Sequence, residues 1–145
     1  MQNIYNSILL FFISYIIVTI IGILHTIFNI YVLKMDAMND KGMGSGYEKT
    51  KPYHPIYNII IFSIFAYLYI SKLNNPTFKE AIITGIMWCL ICIVFDIFAW
   101  VIIKHPFSLS FREFYINYQP FISLIYLAIF ISPIIAYFIY ISKNT

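Results

Sequence analysis

Residues Met1–Leu33 read MQNIYNSILLFFISYIIVTIIGILHTIFNIYVL and contain no Asp, Glu, Lys or Arg. A helix needs about 20 apolar residues to cross the hydrocarbon core of a bilayer, and this run supplies them. Backbone groups in lipid must be hydrogen-bonded within the segment, and the run lacks the period-two alternation of a barrel strand. It therefore predicts a membrane-spanning helix. Because no positive charge precedes it and no small-residue cleavage site follows it, we expect it to be retained and not cleaved as a signal peptide.

The composition of the whole chain excludes two broad classes of protein. Of its 145 residues, 61% are hydrophobic and 10% are charged, whereas soluble domains carry about 25% charged residues. Such a chain cannot cover a water-facing surface, and it is too hydrophobic to be disordered. The net charge of +3 comes from scattered Lys and Arg without a basic run. We therefore expect the lipid bilayer, and not nucleic acid, as a partner.

Three more stretches with few charges follow the first. They cover 52–71, 81–103 with Asp96 as its only Asp, Glu, Lys or Arg, and 114–142. Each is long enough to cross a bilayer. The sequence thus predicts an all-α integral membrane protein, a four-transmembrane-helix bundle that forms one membrane domain over residues 1–145. The predicted spans are 8–31, 56–72, 81–103 and 121–141, with a loop at 34–55.

Two motifs predict where helices begin. The segments Thr77-Phe78-Lys79-Glu80 and Ser110-Phe111-Arg112-Glu113 are capping boxes, in which hydroxyl and carboxylate satisfy free backbone N–H groups. After the second motif, aromatic residues at 111, 114, 115 and 118 fall on one side of a helix. We interpret 111–118 as a short interfacial helix before the fourth span, at the depth that aromatic residues favour. The alternative is that these residues begin the fourth helix itself.

The distribution of Lys and Arg predicts the orientation of the chain. An even number of spans puts both termini on one side of the membrane. That side carries three basic residues, Lys72, Lys79 and Lys143, and the other side carries six, Lys34, Lys41, Lys49, Lys51, Lys104 and Arg112. Because positively charged loops favour the cytoplasm, we expect both long loops inside and both termini outside the cell membrane.

The third predicted span contains an acidic residue. Gly85, Cys89, Cys92 and Asp96 share one narrow stripe at the helical period. An ionisable group inside a span costs about 2.5–3.5 kcal/mol on insertion scales, so it faces the bundle or water and is a functional candidate. The alternative is that Asp96 only fixes helix packing. We interpret the cysteines as buried packing residues and not as a thiol–disulfide centre, because a thiol among apolar residues stays protonated.

The first span offers a partner for this carboxylate. His25 and Asn29 share a face with Ser7, Ser14 and Gly22. His25 and Asp96 both lie past the middle of parallel helices, roughly 6–9 Å from the bilayer midplane. An imidazole beside a carboxylate offsets the cost of burying either group. The pattern predicts a polar intramembrane site of His25, Asn29 and Asp96, in which His25 contacts Asp96.

Further polar candidates lie near the side of the long loops. They are His54, His105, Arg112 and Glu113. No metal-binding spacing relates the three histidines to Asp96, so we expect neither a metal nor a cofactor. His54 and His105 each precede a proline, which predicts the exit of a helix. The glycine-rich stretch 42–46 lacks the strand and helix that a phosphate-binding loop requires, so we interpret it as a flexible linker.

Three functions are compatible with this pattern. The first is transport of a small solute or ion through the site on His25 and Asp96, by a protein that forms a homo-oligomer or binds another membrane protein. The second is a non-catalytic accessory or regulatory subunit of a larger membrane complex. The third is an intramembrane enzyme acting on a lipid-like substrate, for which no nucleophile or base can be named.

Overall fold

A computed structural model describes residues 3–37, 44–105 and 108–144. Its helices are α1 (Ile4–Tyr31), α2 (Ser45–Thr50), a 3₁₀ turn (Lys51–Tyr53), α3 (His54–Ile70), α4 (Phe78–Asp96), a π-helix (Ile97–Ile102), α5 (Phe111–Tyr115) and α6 (Phe121–Asn144). No β-strand occurs within these described ranges. Four stretches are long and apolar enough to cross a membrane: Ile4–Tyr31, Ser45–Ile70, Phe78–Ile102 and Phe121–Asn144. The prediction of four long helices is therefore confirmed.

The second long helix begins earlier than predicted. Helix α2 and the 3₁₀ turn lead into α3, so residues 45–55, assigned to the loop 34–55, are helical. His54 has φ −57° and ψ −45° and begins α3, so the predicted helix exit there is wrong. Pro55 lies in the first helical turn, where a proline is tolerated because its missing N–H would have no partner. Lys41, residues 42–43 of the glycine-rich stretch, and Pro106 lie outside the described residues.

Helix α5 is shorter than the predicted helix 111–118. The capping box is present: Ser110 Oγ accepts from Glu113 N at 3.2 Å, and the Glu113 carboxylate accepts from Ser110 N at 2.7 Å. The helix ends at Tyr115. Pro120 has no N–H to donate to the Ile116 carbonyl, which accepts from Gln119 N at 3.2 Å in a tighter turn instead.

At the predicted start of the third span, Thr77 caps α4. Thr77 Oγ1 accepts a hydrogen bond from Glu80 N at 3.2 Å. The Glu80 carboxylate accepts from Tyr69 OH at 2.7 Å, which ties α3 to α4 beside their connecting turn. This end of the bundle is therefore held by polar side chains.

Helix α6 packs along both α3 and α4, and α1 packs along α3. The rings of Phe11, Phe62 and Trp88 pack together at the centre, with centroids 5.6–6.2 Å apart and planes inclined by 55–65°, and all three side chains are buried. Gly85 lies against α6, because a Cβ atom there would lie 2.3 Å from the Phe130 carbonyl oxygen. Small residues thus let α4 and α6 approach closely. Contacts between α1 and α4 are few, and a cleft opens between them.

Candidate functional site

The carboxylate of Asp96 is the centre of a buried hydrogen-bond cluster. Asp96 is the last residue of α4, and only 5% of it is exposed. Its Oδ1 accepts from Tyr15 OH of α1 at 2.5 Å, and its Oδ2 accepts from Tyr126 OH of α6 at 3.0 Å. Cys92 Sγ donates to Oδ2 at 3.5 Å from one turn earlier in α4. Groups from three long helices therefore converge on one carboxylate.

A second set of polar atoms supports the two tyrosines. Trp100 Nε1, in the π-helix, donates to Tyr15 OH at 2.6 Å. The Tyr115 hydroxyl, in α5, lies 3.3 Å from the Tyr126 hydroxyl. Each hydroxyl that donates to Asp96 thus has a further polar neighbour, which fixes its direction. Short π-helical segments are frequent at functional sites, and this one follows Asp96 directly.

The Asp96 cluster contains no positive charge. In the described part of the chain no Lys, Arg or His forms an ion pair with Asp96; the ion pair found there joins Lys51 to Glu48 at 2.7 Å. Tyrosine and cysteine donors stabilise a carboxylate by hydrogen bonding but do not neutralise it. When it is ionised, Asp96 is therefore a buried charge without a counter-ion among the described residues, which is a costly arrangement.

Asp96 also borders a cleft of about 530 Å³. The C-terminal half of α1 forms one wall, and the opposite wall comes from the end of α4, the π-helix and the first turns of α6. The lining is mostly apolar, with Ile23 and Ile27 on one wall and Ile122 and Ile125 on the other. A largely apolar cleft with a few converging polar groups is the usual form of a small-molecule site.

His54 contributes a second polar group to the cleft. Its Nδ1 is hydrogen-bonded to Tyr118 OH. Its Nε2 is buried and has no hydrogen-bond partner among the described residues. That atom faces Gly22 of α1, where a Cβ atom would lie 3.0 Å from it. His54 and Gly22 both line the cleft, and the Nε2 atom itself is buried between them.

The predicted contact between His25 and Asp96 is wrong. His25 Nδ1 is hydrogen-bonded to Tyr57 OH at 2.6 Å. The imidazole ring of His25 packs edge-on against the ring of Tyr53, with the ring centroids 5.0 Å apart. Helix α1 packs along α3 on this face, so His25 meets α3 and not α4. Equal depth in the bilayer does not make two helices neighbours, and this is why the prediction failed.

Asn29 has a different position from the one predicted. Its Nδ2 donates to the Gly46 carbonyl at 3.0 Å and to Thr50 Oγ1 at 3.1 Å. Thr26 Oγ1 also donates to Thr50 Oγ1 at 3.1 Å. Asn29 therefore attaches α2 to α1. Of the three residues predicted for the intramembrane site, Asp96 lines the cleft, whereas His25 and Asn29 lie elsewhere.

The remaining loop-side candidates are spread out. His105 Nε2 is hydrogen-bonded to the Ala99 carbonyl at 2.7 Å, and Arg112 is exposed. Glu113 belongs to the capping box, where hydrogen bonds from Ser110 hold the pKa of the Glu113 carboxyl below its usual range. No group of three or more metal-ligating side chains occurs in the part of the chain that the structure describes.

The sequence interpretation missed Tyr15, Tyr126 and Trp100. Tyr and Trp belong to the residue types that the composition counts as hydrophobic. Buried Tyr and Trp side chains need a partner for their O–H or N–H group. Few acidic residues lie inside the predicted spans. The need of Tyr15, Tyr126 and Trp100 for a hydrogen-bond partner was therefore the feature of the sequence that could have associated them with Asp96.

Comparison with known proteins identifies no family for this chain. The sequence matches no protein-family model, and neither the curated proteins nor the solved structures give a match.

Proposed function

We propose that this chain is a multi-pass protein of the cell membrane that transports a small solute or ion by way of Asp96. The proposal is carried by one observation: Asp96 is buried among apolar helices, has no counter-ion in the described residues and borders a cleft. An ionisable residue in such a setting marks solute pathways and proton relays in membrane proteins. The homo-oligomer or membrane-protein partner expected from the sequence belongs to the same proposal.

Insertion into the bilayer is part of this proposal. The four long helices expose large apolar side chains along their outer faces, among them Ile16 at 55%, Ile64 at 51% and Leu90 at 58%. Such faces suit lipid and not water.

With both termini outside, a C-terminal reporter enzyme that works only in the cytoplasm should be inactive. An active reporter would reverse the orientation.

The chemistry required of Asp96 is simple. A carboxylate in an apolar setting binds a proton or a cation strongly, because either one offsets the cost of the buried charge. Release of that proton or cation on the other side of the membrane completes a transport step. Tyr15 and Tyr126 hold the carboxylate in place while its ligand is exchanged, and they supply donors to the ionised form.

The test is proton flux into liposomes that contain the purified protein and a trapped pH-sensitive dye. Under an imposed membrane potential, the wild-type chain should acidify the lumen faster than protein-free liposomes do. Asp96→Asn should return the rate to the protein-free value. Glu80→Gln is the matched control, because it also removes a buried carboxylate but lies at the opposite end of α4. Equal rates for wild type and Asp96→Asn would refute proton transport by way of Asp96.

The accessory-subunit and enzyme interpretations stay predictions. Asp96 and His54 line the same cleft, but no hydrogen bond joins them in the described residues. Catalysis by a serine or cysteine nucleophile requires a base within hydrogen-bond reach of it. Cys92 donates to Asp96 at the long distance of 3.5 Å and is buried, and this contact alone does not favour an enzyme over a transporter.

A further inference from the structure

The inner end of the cleft combines a carboxylate with aromatic rings. Tyr15 and Trp100 line the cleft beside Asp96, and Phe114 and Tyr118 line it nearby. The faces of aromatic rings carry partial negative charge and attract cations. Ionised Asp96 therefore provides favourable electrostatics for a positively charged group and unfavourable electrostatics for an anion, and aromatic rings line the cleft beside it.

The carboxylate has room for one more donor. Ionised Asp96 offers about four lone-pair positions. Tyr15, Tyr126 and Cys92 occupy three of them. The sulfur contact is the weakest of these, because thiols are weak donors. An additional N–H donor can thus bind at Asp96 without displacing either tyrosine.

The outer part of the cleft is apolar and open. Ile23 and Ile27 of α1 line it and are 41% and 44% exposed. On the opposite side, Ile122 and Ile125 are buried. The apolar part of the cleft therefore lies between two long helices, α1 and α6. In a bilayer, an opening of this kind admits a molecule from the hydrocarbon region as well as from water.

We infer that the cleft binds a lipophilic amine, with its protonated nitrogen on Asp96 and its apolar body between α1 and the first turns of α6. This inference rests on the proposed role of Asp96 as a solute site and names the class of solute. The cleft volume of about 530 Å³ lies within the range of roughly 300–1,000 Å³ that is usual for small-molecule sites. A neutral analogue lacks the positive charge that the Asp96 carboxylate attracts, and an anionic analogue is repelled by the same carboxylate.

Protons compete with the amine for the same carboxylate. The titratable groups that face Asp96 are Tyr15 from α1, Cys92 from α4 and Tyr126 from α6, with Tyr115 of α5 behind Tyr126. His54 of α3 and Tyr47 of α2 line the cleft farther away. Acidification in the range where Asp96 takes up its proton should therefore weaken binding of the amine, by at most about tenfold per pH unit for one proton.

The experiment is calorimetric titration of the full chain in lipid nanodiscs, with empty nanodiscs subtracted to remove partitioning. Three probes of matched shape are used: phenethylamine, phenethyl alcohol and 3-phenylpropionate. The amine should bind in preference to both other probes at neutral pH. Asp96→Asn should weaken binding of the amine by roughly 10- to 100-fold, the contribution of a charge-assisted hydrogen bond. Glu80→Gln should leave it unchanged.

The outcomes separate this inference from the proposed function. Comparable wild-type binding of the alcohol and the amine would overturn the amine class while leaving Asp96 available to a neutral solute. If no probe binds although Asp96-dependent proton flux is present, this inference falls and the proposed transport stands. If the amine binds but no proton flux occurs, the inference stands and the proposed proton transport fails. The comparison of the three probes uses the wild-type chain, so it holds even where a variant does not fold.

Discussion

Replacement of Gly85 by alanine tests the close contact between α4 and α6. The added Cβ atom would lie 2.3 Å from the Phe130 carbonyl oxygen and 3.2 Å from the carbonyl carbon, where ordinary contact begins at 3.4 Å. The obstacle is backbone, which cannot rotate away as a side chain does. The two helices must therefore separate by about 1 Å, or α4 must bend, to admit one methyl group.

The size of the effect follows from two opposing contributions. Overpacking of a close contact costs about 1–3 kcal/mol. Alanine recovers about 1 kcal/mol relative to glycine through its higher helix propensity. The difference is a loss of about 0–2 kcal/mol in the free energy of unfolding. Because the obstacle is backbone, we expect Gly85→Ala to fall in the upper half of that range, at about 1–2 kcal/mol. Gly85→Leu should cost more, because its branched side chain cannot fit between the helices.

The assay is reversible unfolding in detergent micelles, followed by circular dichroism. Val94→Ile is the control, because it adds one methylene group to the same helix at a position that is 54% exposed. It should leave the unfolding free energy within about 0.5 kcal/mol of the wild-type value. A Gly85→Ala variant as stable as the wild type, or more stable, would show that α4 and α6 are not in contact at Gly85 and would refute the packing argument.

Other substitutions probe the remaining contacts. Tyr15→Phe removes a donor from the Asp96 carboxylate, so we expect a loss of about 1.5–3 kcal/mol in unfolding free energy, together with slower proton flux. Asn29→Ala removes the hydrogen bonds from Nδ2 to the Gly46 carbonyl and to Thr50 Oγ1, and it should cost about 1–2 kcal/mol in the same assay while proton flux is retained. Ser110→Ala removes the helix cap and should cost about 0.5–2 kcal/mol. In the folded chain the pKa of Glu113 is lowered. The stabilisation that ionised Glu113 gives to the folded state is therefore complete above the ordinary glutamate pKa and is lost as the pH falls through the lowered value. A Glu113→Gln variant should lack this pH dependence of the melting temperature.

The sequence identified Asp96 as the buried acidic residue of its span but assigned it the wrong neighbour. Residues that share a helix face can be recognised from their spacing, and the position of His25 on a polar face of the first helix followed from that rule. Spacing does not reveal which helix covers that face. In the structure α3 covers it, and Tyr57 takes the hydrogen bond that was predicted for Asp96.

Local chemistry gave correct predictions where its cause was local. The capping boxes of the sequence place the starts of α4 and α5, because a hydroxyl satisfies N–H groups only three residues away. The early start of the second long helix was missed for a related reason. His54 followed by Pro55 predicts a helix exit, whereas Pro55 lies in the first turn of α3, where proline fits.

The sequence by itself determined the number of long helices, their apolar character and the presence of a carboxylate in the third. Each of these depends on length and composition within one segment, because a bilayer-length apolar run has few alternatives to a helix. The tertiary structure alone decided that Tyr15, Trp100 and Tyr126 surround Asp96 beside a cleft. These residues are far apart in the chain and come together only through the packing of α1, α4 and α6, which depends on how side chains of different helices fit and not on any pattern within one helix.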